Sequence, residues 1–143
     1  MIAEHRRQLI DTNILVYAHD QSAGSKHEQA KALLTSLWRS RHGCLSVQVL
    51  QEFYVTVTRK VTRPLPPAVA SQIIADLGVW QVHRPAVIDI LDAITLQTRY
   101  QLSFWDAMIL QSAIRLECAV VWSEDLNDGQ RYYGVQVQSP FQE

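Results

Sequence analysis

Residues 103–125, SFWDAMILQSAIRLECAVVWSED, constrain the fold more than any other stretch. Ser103 is placed to cap a helix, with Asp106 in its first turn. Trp105, Ile109, Ala113 and Leu116 recur at helical spacing, which predicts one inward face. Residues 119–122, AVVW, are then too short for a helix and rich in β-formers. A strand apolar on both faces suits the middle of a covered parallel sheet. Ser123, Glu124 and Asp125 follow it directly. A helix that turns straight into a strand runs antiparallel to it, so the helix start and the strand end share one sheet edge. Asp106 and Asp125, 19 positions apart, are therefore expected to be neighbours. Ligands of open α/β sheets bind at that carboxyl edge.

The rest of the chain repeats the logic. Gln8-Leu9-Ile10 reads as a first strand ending in Asp11. Asp11 can cap the helical turn after it, or serve the same edge as an acid. Ser25-Lys26-His27-Glu28 reads as a capping box for a helix with Ala30, Leu33, Leu34, Leu37 and Trp38 on one face. Gly43 is the expected stop. Residues 44–47 form a second strand candidate, and Ser46 can cap a helix over 47–61. Glu52 lies beside the apolar stripe of that helix, one to two turns from its start. It can point to the carboxyl edge or be a solvated helix glutamate. Pro64, Pro66 and Pro67 break the chain before a helix over 67–77. Residues 80–82 predict a short strand. Pro85 suits the first turn of a helix facing inward through Val87/Ile88, Leu91, Ile94/Thr95 and Thr98, with Asp89 and Asp92 solvated. Asn127-Asp128-Gly129 signals a turn, and Val135 and Val137 an edge strand. Strands alternating with helix pairs predict a three-layer α/β/α sandwich with a mostly parallel central sheet, a single domain over residues 1–143.

Composition narrows the function. The formal net charge is −1, which argues against a broad phosphate-binding surface but not against a small basic cleft. Arg59, Lys60 and Arg63 cluster at a helix end, where they either complement its carboxyl terminus or track phosphate toward an acidic cleft. The two cysteines, Cys44 and Cys118, fit buried thiols in a reducing cytoplasm. The charged start Glu4-His5-Arg6-Arg7 is unlike a signal peptide, and no run reaches membrane-span length. The four tryptophans fall within apolar patterns and are expected in the core. Neither a zinc-ligand spacing, a glycine-rich phosphate loop nor a serine-nucleophile elbow is present.

Asp11, Glu52, Asp106 and Asp125 thus have separate topological reasons to meet. Two carboxylates about 4 Å apart repel by about 4 kcal/mol at an effective dielectric near 20. Such an all-oxygen cluster suits a hard cation, Mg²⁺ or Mn²⁺. The matching chemistry is metal-assisted phosphodiester hydrolysis, with one carboxylate left to orient or deprotonate the attacking water.

Four segments in order resemble the PIN-domain family, and within it the VapC-type toxin ribonucleases. They are Leu9-Ile10-Asp11-Thr12-Asn13 with Tyr17-Ala18, Gln51-Glu52-Phe53-Tyr54, residues 102–107, LSFWDA, and residues 122–126, WSEDL. The resemblance implies that Asp11, Glu52, Asp106 and Asp125 form the acidic site, with Asp11, Asp106 and Asp125 as metal ligands. It implies Asn13 and Ser123 as polar supports, with Asp128 a further acid that could assist or replace Asp125. It also implies a Mg²⁺- or Mn²⁺-dependent endoribonuclease, an RNA substrate, a homodimer and a small antitoxin whose tail fills the groove. Two alternatives stand beside it. One is a non-catalytic module docking a basic peptide; the other is a PIN nuclease of RNA processing outside toxin–antitoxin systems.

Overall fold

The protein is described by a computed structural model covering residues 6–141, so Glu4 and His5 of the charged start lie outside the described residues. Six strands form one sheet in the order β3-β2-β1-β4-β6-β5. They are β1 (Gln8–Ile10), β2 (Gly43–Ser46), β3 (Gln81–His83), β4 (Val120–Trp122), β5 (Arg131–Tyr132) and β6 (Val135–Gln138). All pairings are parallel except β5 with β6. β6 is therefore interior, and the expected edge role passes to β5. The helices are α1 (Thr12–Ala18), α2 (Ser25–Ser40), α3 (Val47–Arg59), α4 (Pro67–Leu77), α5 (Val87–Tyr100) and α6 (Phe104–Arg115).

The strand order dictates the layers. From β1 the chain steps to β2 and β3 in one direction through α1–α2 and α3–α4. It then returns past β1 to β4 through α5–α6. Parallel crossovers are right-handed, so the reversal puts α5 and α6 on the opposite face. Helix packing agrees: α1 packs on α2 and α3, α3 on α4, and α5 on α6. Leu9, Ile10, Leu45 and Val121 of the strands are fully buried between these layers with Ile14, Phe53 and Leu110. No described helix is long and apolar enough to cross a membrane.

Several local expectations change. Ser25 does not cap α2; the N-cap is Gly24, with φ 65°, and no side chain bonds there. The same helix stops at Arg41, which itself takes the left-handed conformation at φ 64° and bonds Leu37 O. Gly43 opens β2 instead. A Cβ there would sit 2.4 Å from the Trp80 ring, so the glycine admits the indole rather than ending a helix. Pro85 precedes the Ala86 N-cap of α5.

Helix α5 also turns a different face inward. Asp89, Ala93 and Leu96 are buried, whereas Val87, Ile88, Leu91 and Ile94 are exposed. Asp89 is only 1 % exposed. Its Oδ2 accepts from Ala86 N at 2.8 Å and its Oδ1 from Gln111 Nε2 at 3.1 Å. His83 Nε2 lies 3.4 Å from Oδ2, and Arg115 Nε 3.6 Å from Oδ1. His83, Gln111 and Arg115 come from β3 and α6, so helical spacing within α5 could not reveal them.

Candidate active site

The chain reverses its winding between β1 and β4, and ligand crevices of open α/β sheets form at such switch points. Asp11 leaves β1 there, and Ser123-Glu124-Asp125 leave β4 beside it. Asp11 N donates to Trp122 O at 2.9 Å, fixing the two strand ends together. α6 begins at the same edge and presents Asp106 in its first turn, with Ser103 Oγ accepting from Asp106 N at 3.1 Å. α3 begins after β2, capped by Ser46, and carries Glu52. The capping and the shared edge are as the sequence implied.

Asp11 caps α1 and also stands at the shared edge. Its Oδ1 accepts from Thr12 N at 2.7 Å, capping α1, while its Oδ2 accepts from Ser123 Oγ at 2.7 Å. It is 5 % exposed. Its pKa is raised to about 6: burial pushes it up most, the Ser123 and Thr12 hydrogen bonds pull it back, and the charges of Asp106 and Asp125 add to the rise. Asp125 is likewise raised, by burial first, then by repulsion from Asp106 and Glu124, with an Asn13 hydrogen bond opposing. Asp11, Asp106 and Asp125 thus form one electrostatic cluster from three separated segments.

Glu52 is tied to the same edge through α1 and α3. Thr12 Oγ1 donates to its Oε1 at 2.6 Å, and Gln48 Nε2 lies 3.4 Å from its Oε2. The same Gln48 amide reaches Trp105 O at 3.3 Å, tying α3 to the start of α6. Neither Thr12 nor Gln48 stood out in the sequence. The signal for Gln48 was its position one helical turn before Glu52; Thr12 adjoins Asp11 within the first motif.

Ser123 acts as a hub: besides donating to Asp11, its oxygen accepts from Asp125 N at 3.1 Å and Leu126 N at 3.3 Å. Asn13 lies on the first turn of α1, with its buried Oδ1 lacking any hydrogen-bond partner among the described residues. Glu124, by contrast, is compensated. Burial raises its pKa, but hydrogen bonds from Lys26 and Tyr17 outweigh this and hold it below the usual range. Tyr17 OH donates to Glu124 Oε1 at 2.8 Å, and Lys26 pairs with the other oxygen. Asp128 stands elsewhere in the loop, where its Oδ1 accepts from Ser139 N at 2.9 Å and tethers the segment after β6. Asp20 is buried and caps the short turn Gln21–Ala23 by accepting from Ser22 N.

A cavity of about 330 Å³ runs from Asn13 and Asp125 past Thr56 to Val61. Arg59, Lys60 and Arg63 are exposed around that far end of α3. A larger cavity, about 750 Å³, opens among Arg6, Arg7, Arg41 and His42, at the amino ends of the strands and away from the carboxylates. Its size does not make it the site of the acid chemistry: it lies away from the carboxylates, and Arg7 Nη1 donates to Leu116 O at 2.9 Å, the ordinary use of a cation at a helix carboxyl end.

The residues fit a hard divalent cation. The carboxylates of Asp11, Asp106 and Asp125 and the unpartnered, buried Asn13 Oδ1 are all hard oxygen donors, the type such a cation takes. As they stand, no three His, Cys, Asp or Glu side chains among the described residues are close enough to share one ion.

Comparison with known proteins gives the lineage. A family model for the PIN domain matches residues 9–132. VapC20 of Mycobacterium tuberculosis, a toxin that cleaves the sarcin–ricin loop, superposes with a TM-score of 0.65 at 21% identity, covering 82% of this chain and 89% of that one. A toxin–antitoxin complex from Klebsiella pneumoniae gives a TM-score of 0.69 at 20% identity over 95% of this chain and 99% of that one. No curated protein matches the sequence. With the family model spanning most of the chain and the three-layer fold in agreement, the chain belongs to the PIN-domain family.

Proposed function

We propose that the protein is a Mg²⁺- or Mn²⁺-dependent endoribonuclease, the toxin of a cytoplasmic toxin–antitoxin pair, built as one domain and acting as a homodimer. The observation that carries the nuclease reading is the convergence of Asp11, Asp106 and Asp125 at the switch point, each charge raising the energy of the others. The two toxin-system structures of the same fold support the toxin assignment and a small antitoxin partner. A basic antitoxin segment is the chemistry that an acidic groove would accept.

Asp11, Asp106 and Asp125 would hold the cation, with Asn13 beside them. When bound, the cation supplies positive charge against the phosphodiester and acidifies water. Ser123 keeps Asp11 oriented and fixes the Asp125 loop. Glu52, steadied by the Thr12 hydroxyl and Gln48, accepts the proton of the attacking water. Arg59, Lys60 and Arg63 line the approach and contact phosphates away from the cut. Asp128 supports the loop that carries Asp125.

The test is cleavage of pooled cellular RNA by the purified protein in Mg²⁺, Mn²⁺ or EDTA, with Asp106→Asn as control. Cleavage that needs the cation and vanishes in the variant is expected. Folded protein that binds Mn²⁺ and basic peptides yet cuts no RNA would instead make the acidic edge a docking groove.

A further inference from the structure

We propose that Trp105 is a substrate-binding residue that stacks on an unpaired nucleobase beside the scissile phosphodiester; this rests on the nuclease reading above. Trp105 is 60 % exposed, against its expected place in the core. The other three tryptophans are engaged. Trp38 and Trp80 pack edge to face at 5.2 Å, and Trp122 Nε1 donates to Gln8 Oε1 at 2.8 Å. Trp38 is still 39 % exposed within that pair, but Trp105 is the most exposed of the four, immediately before Asp106 in the first turn of α6.

The indole is also held in place. Phe104 meets it edge to face, with centroids 5.0 Å apart at 74°. The backbone carbonyl of Trp105 accepts from Gln48 Nε2, whose amide also reaches the Glu52 carboxylate. One side chain therefore ties the backbone that carries the ring to the acid assigned to the water. Such a ring loses little conformational freedom on binding.

Electrostatics says why the site needs it. The edge gathers Asp11, Asp106 and Asp125, with Glu52 bonded to it through Thr12, and the chain has a formal net charge of −1. A phosphate strand approaching this edge meets repulsion wherever the cation does not offset it. Beside the phosphate contacts assigned to Arg59, Lys60 and Arg63, a neutral contact near the cut adds attraction, and a base stacked on an indole supplies it without sequence selectivity, because every base has a π-face. Single-stranded RNA, or an unstacked loop base, is the matching substrate class.

The experiment measures binding of a fluorescein-labelled, unstructured oligoribonucleotide to Asp106→Asn protein in Mn²⁺, alone and combined with Trp105→Ala or Trp105→Phe. Trp105→Ala should weaken binding about tenfold or more, and Trp105→Phe should retain most of the affinity. The loss should be equal at low and high salt, since stacking releases no counterions. In the active protein, Trp105→Ala should raise KM while kcat changes little. Equal affinity of the Trp and Ala forms for RNA that the wild type cleaves overturns the stacking role and leaves the nuclease reading intact. So does a changed sedimentation coefficient in Trp105→Ala with RNA affinity unaltered, which would assign the ring to a protein contact. Failure of the wild type to bind or cleave any RNA overturns the nuclease reading, and this one with it.

Discussion

Two aspartates in this fold are almost equally buried and are treated in opposite ways. Asp89 sits at the start of α5 with a backbone N–H, the Gln111 amide, His83 and Arg115 around it. Burial pushes its pKa up, but these partners outweigh burial and hold it below the ordinary range. Burial depresses the His83 pKa, so the ring is neutral near pH 7. Because a carboxylate can only accept, Nε2 carries the proton toward Asp89 and Nδ1 accepts from Ser112 Oγ at 2.8 Å. Asp11 has two donors and two like charges instead, and rises to about 6. That rise from 3.8 corresponds to roughly 3 kcal/mol against its charged form. A carboxylate whose cost the fold removes serves the fold. One whose cost is left in place awaits something from outside.

Amide substitution should separate the two most sharply. Asp106→Asn removes a charge that opposes Asp11 and Asp125, so RNA cleavage should fall about 100-fold or more. Stability should hold or rise, by up to about 1 kcal/mol. Cleavage rates and denaturant melts on the same preparation check both. An active variant would remove Asp106 from the site.

Asp89→Ala should do the reverse. His83, Gln111 and the Ala86 N–H lose their acceptor in a buried place, which costs about 3 kcal/mol. For a chain of this size the melting temperature should drop by about 10 °C, with cleavage per folded molecule unchanged. Reduced cleavage at full stability would mean that the network reaches the active edge.

This contrast also marks how far the sequence could be read. The strands, most helices and the shared edge follow from periodicity and from acids placed directly after apolar strands. Asp11, Asp106 and Asp125 were legible because topology alone sends them to one edge. Asp89 was misplaced because its neutralising partners arrive from β3 and α6, and helical spacing counted the larger Val87, Ile88, Leu91 and Ile94 as core. Trp105 was assigned inward for a similar reason: side-chain size is a poor guide where a helix begins at a functional edge. Thr12 and Gln48 carry no chemical signature alone. Their role exists only in hydrogen bonds across 40 and 57 positions of chain.

pH separates the aspartates again, and the signs differ. Asp89 has a depressed folded pKa, so its contribution is present above the unfolded value near 3.8 and is lost as pH falls through its lower folded value. Asp11 has a raised one. Its stabilising protonation is complete below about 3.8 and is lost as pH rises through about 6. Cation binding needs the charged form, so Mn²⁺ affinity should fall about tenfold between pH 7 and pH 5. Titration calorimetry at both values checks this, and Asp89→Asn should leave the ratio unchanged. An affinity flat with pH would separate Asp11 from the cation.

The smallest expected effect probes what keeps Asp11 from rising further. Ser123 Oγ donates to Asp11 Oδ2 and accepts from Asp125 N and Leu126 N. Ser123→Ala deletes the hydrogen bond that opposes burial most, so the Asp11 pKa should climb above 6. Two backbone N–H groups lose their acceptor together, and stability should drop by about 1–2 kcal/mol. The pH midpoint for Mn²⁺ binding should shift upward, while Ser123→Thr, which keeps the hydroxyl, should leave it in place. A stability loss with an unmoved midpoint would make Ser123 a support of the loop alone. A moved midpoint would show that one hydroxyl sets how readily this edge accepts its cation, a control that Asp89 has no use for because its partners already surround it.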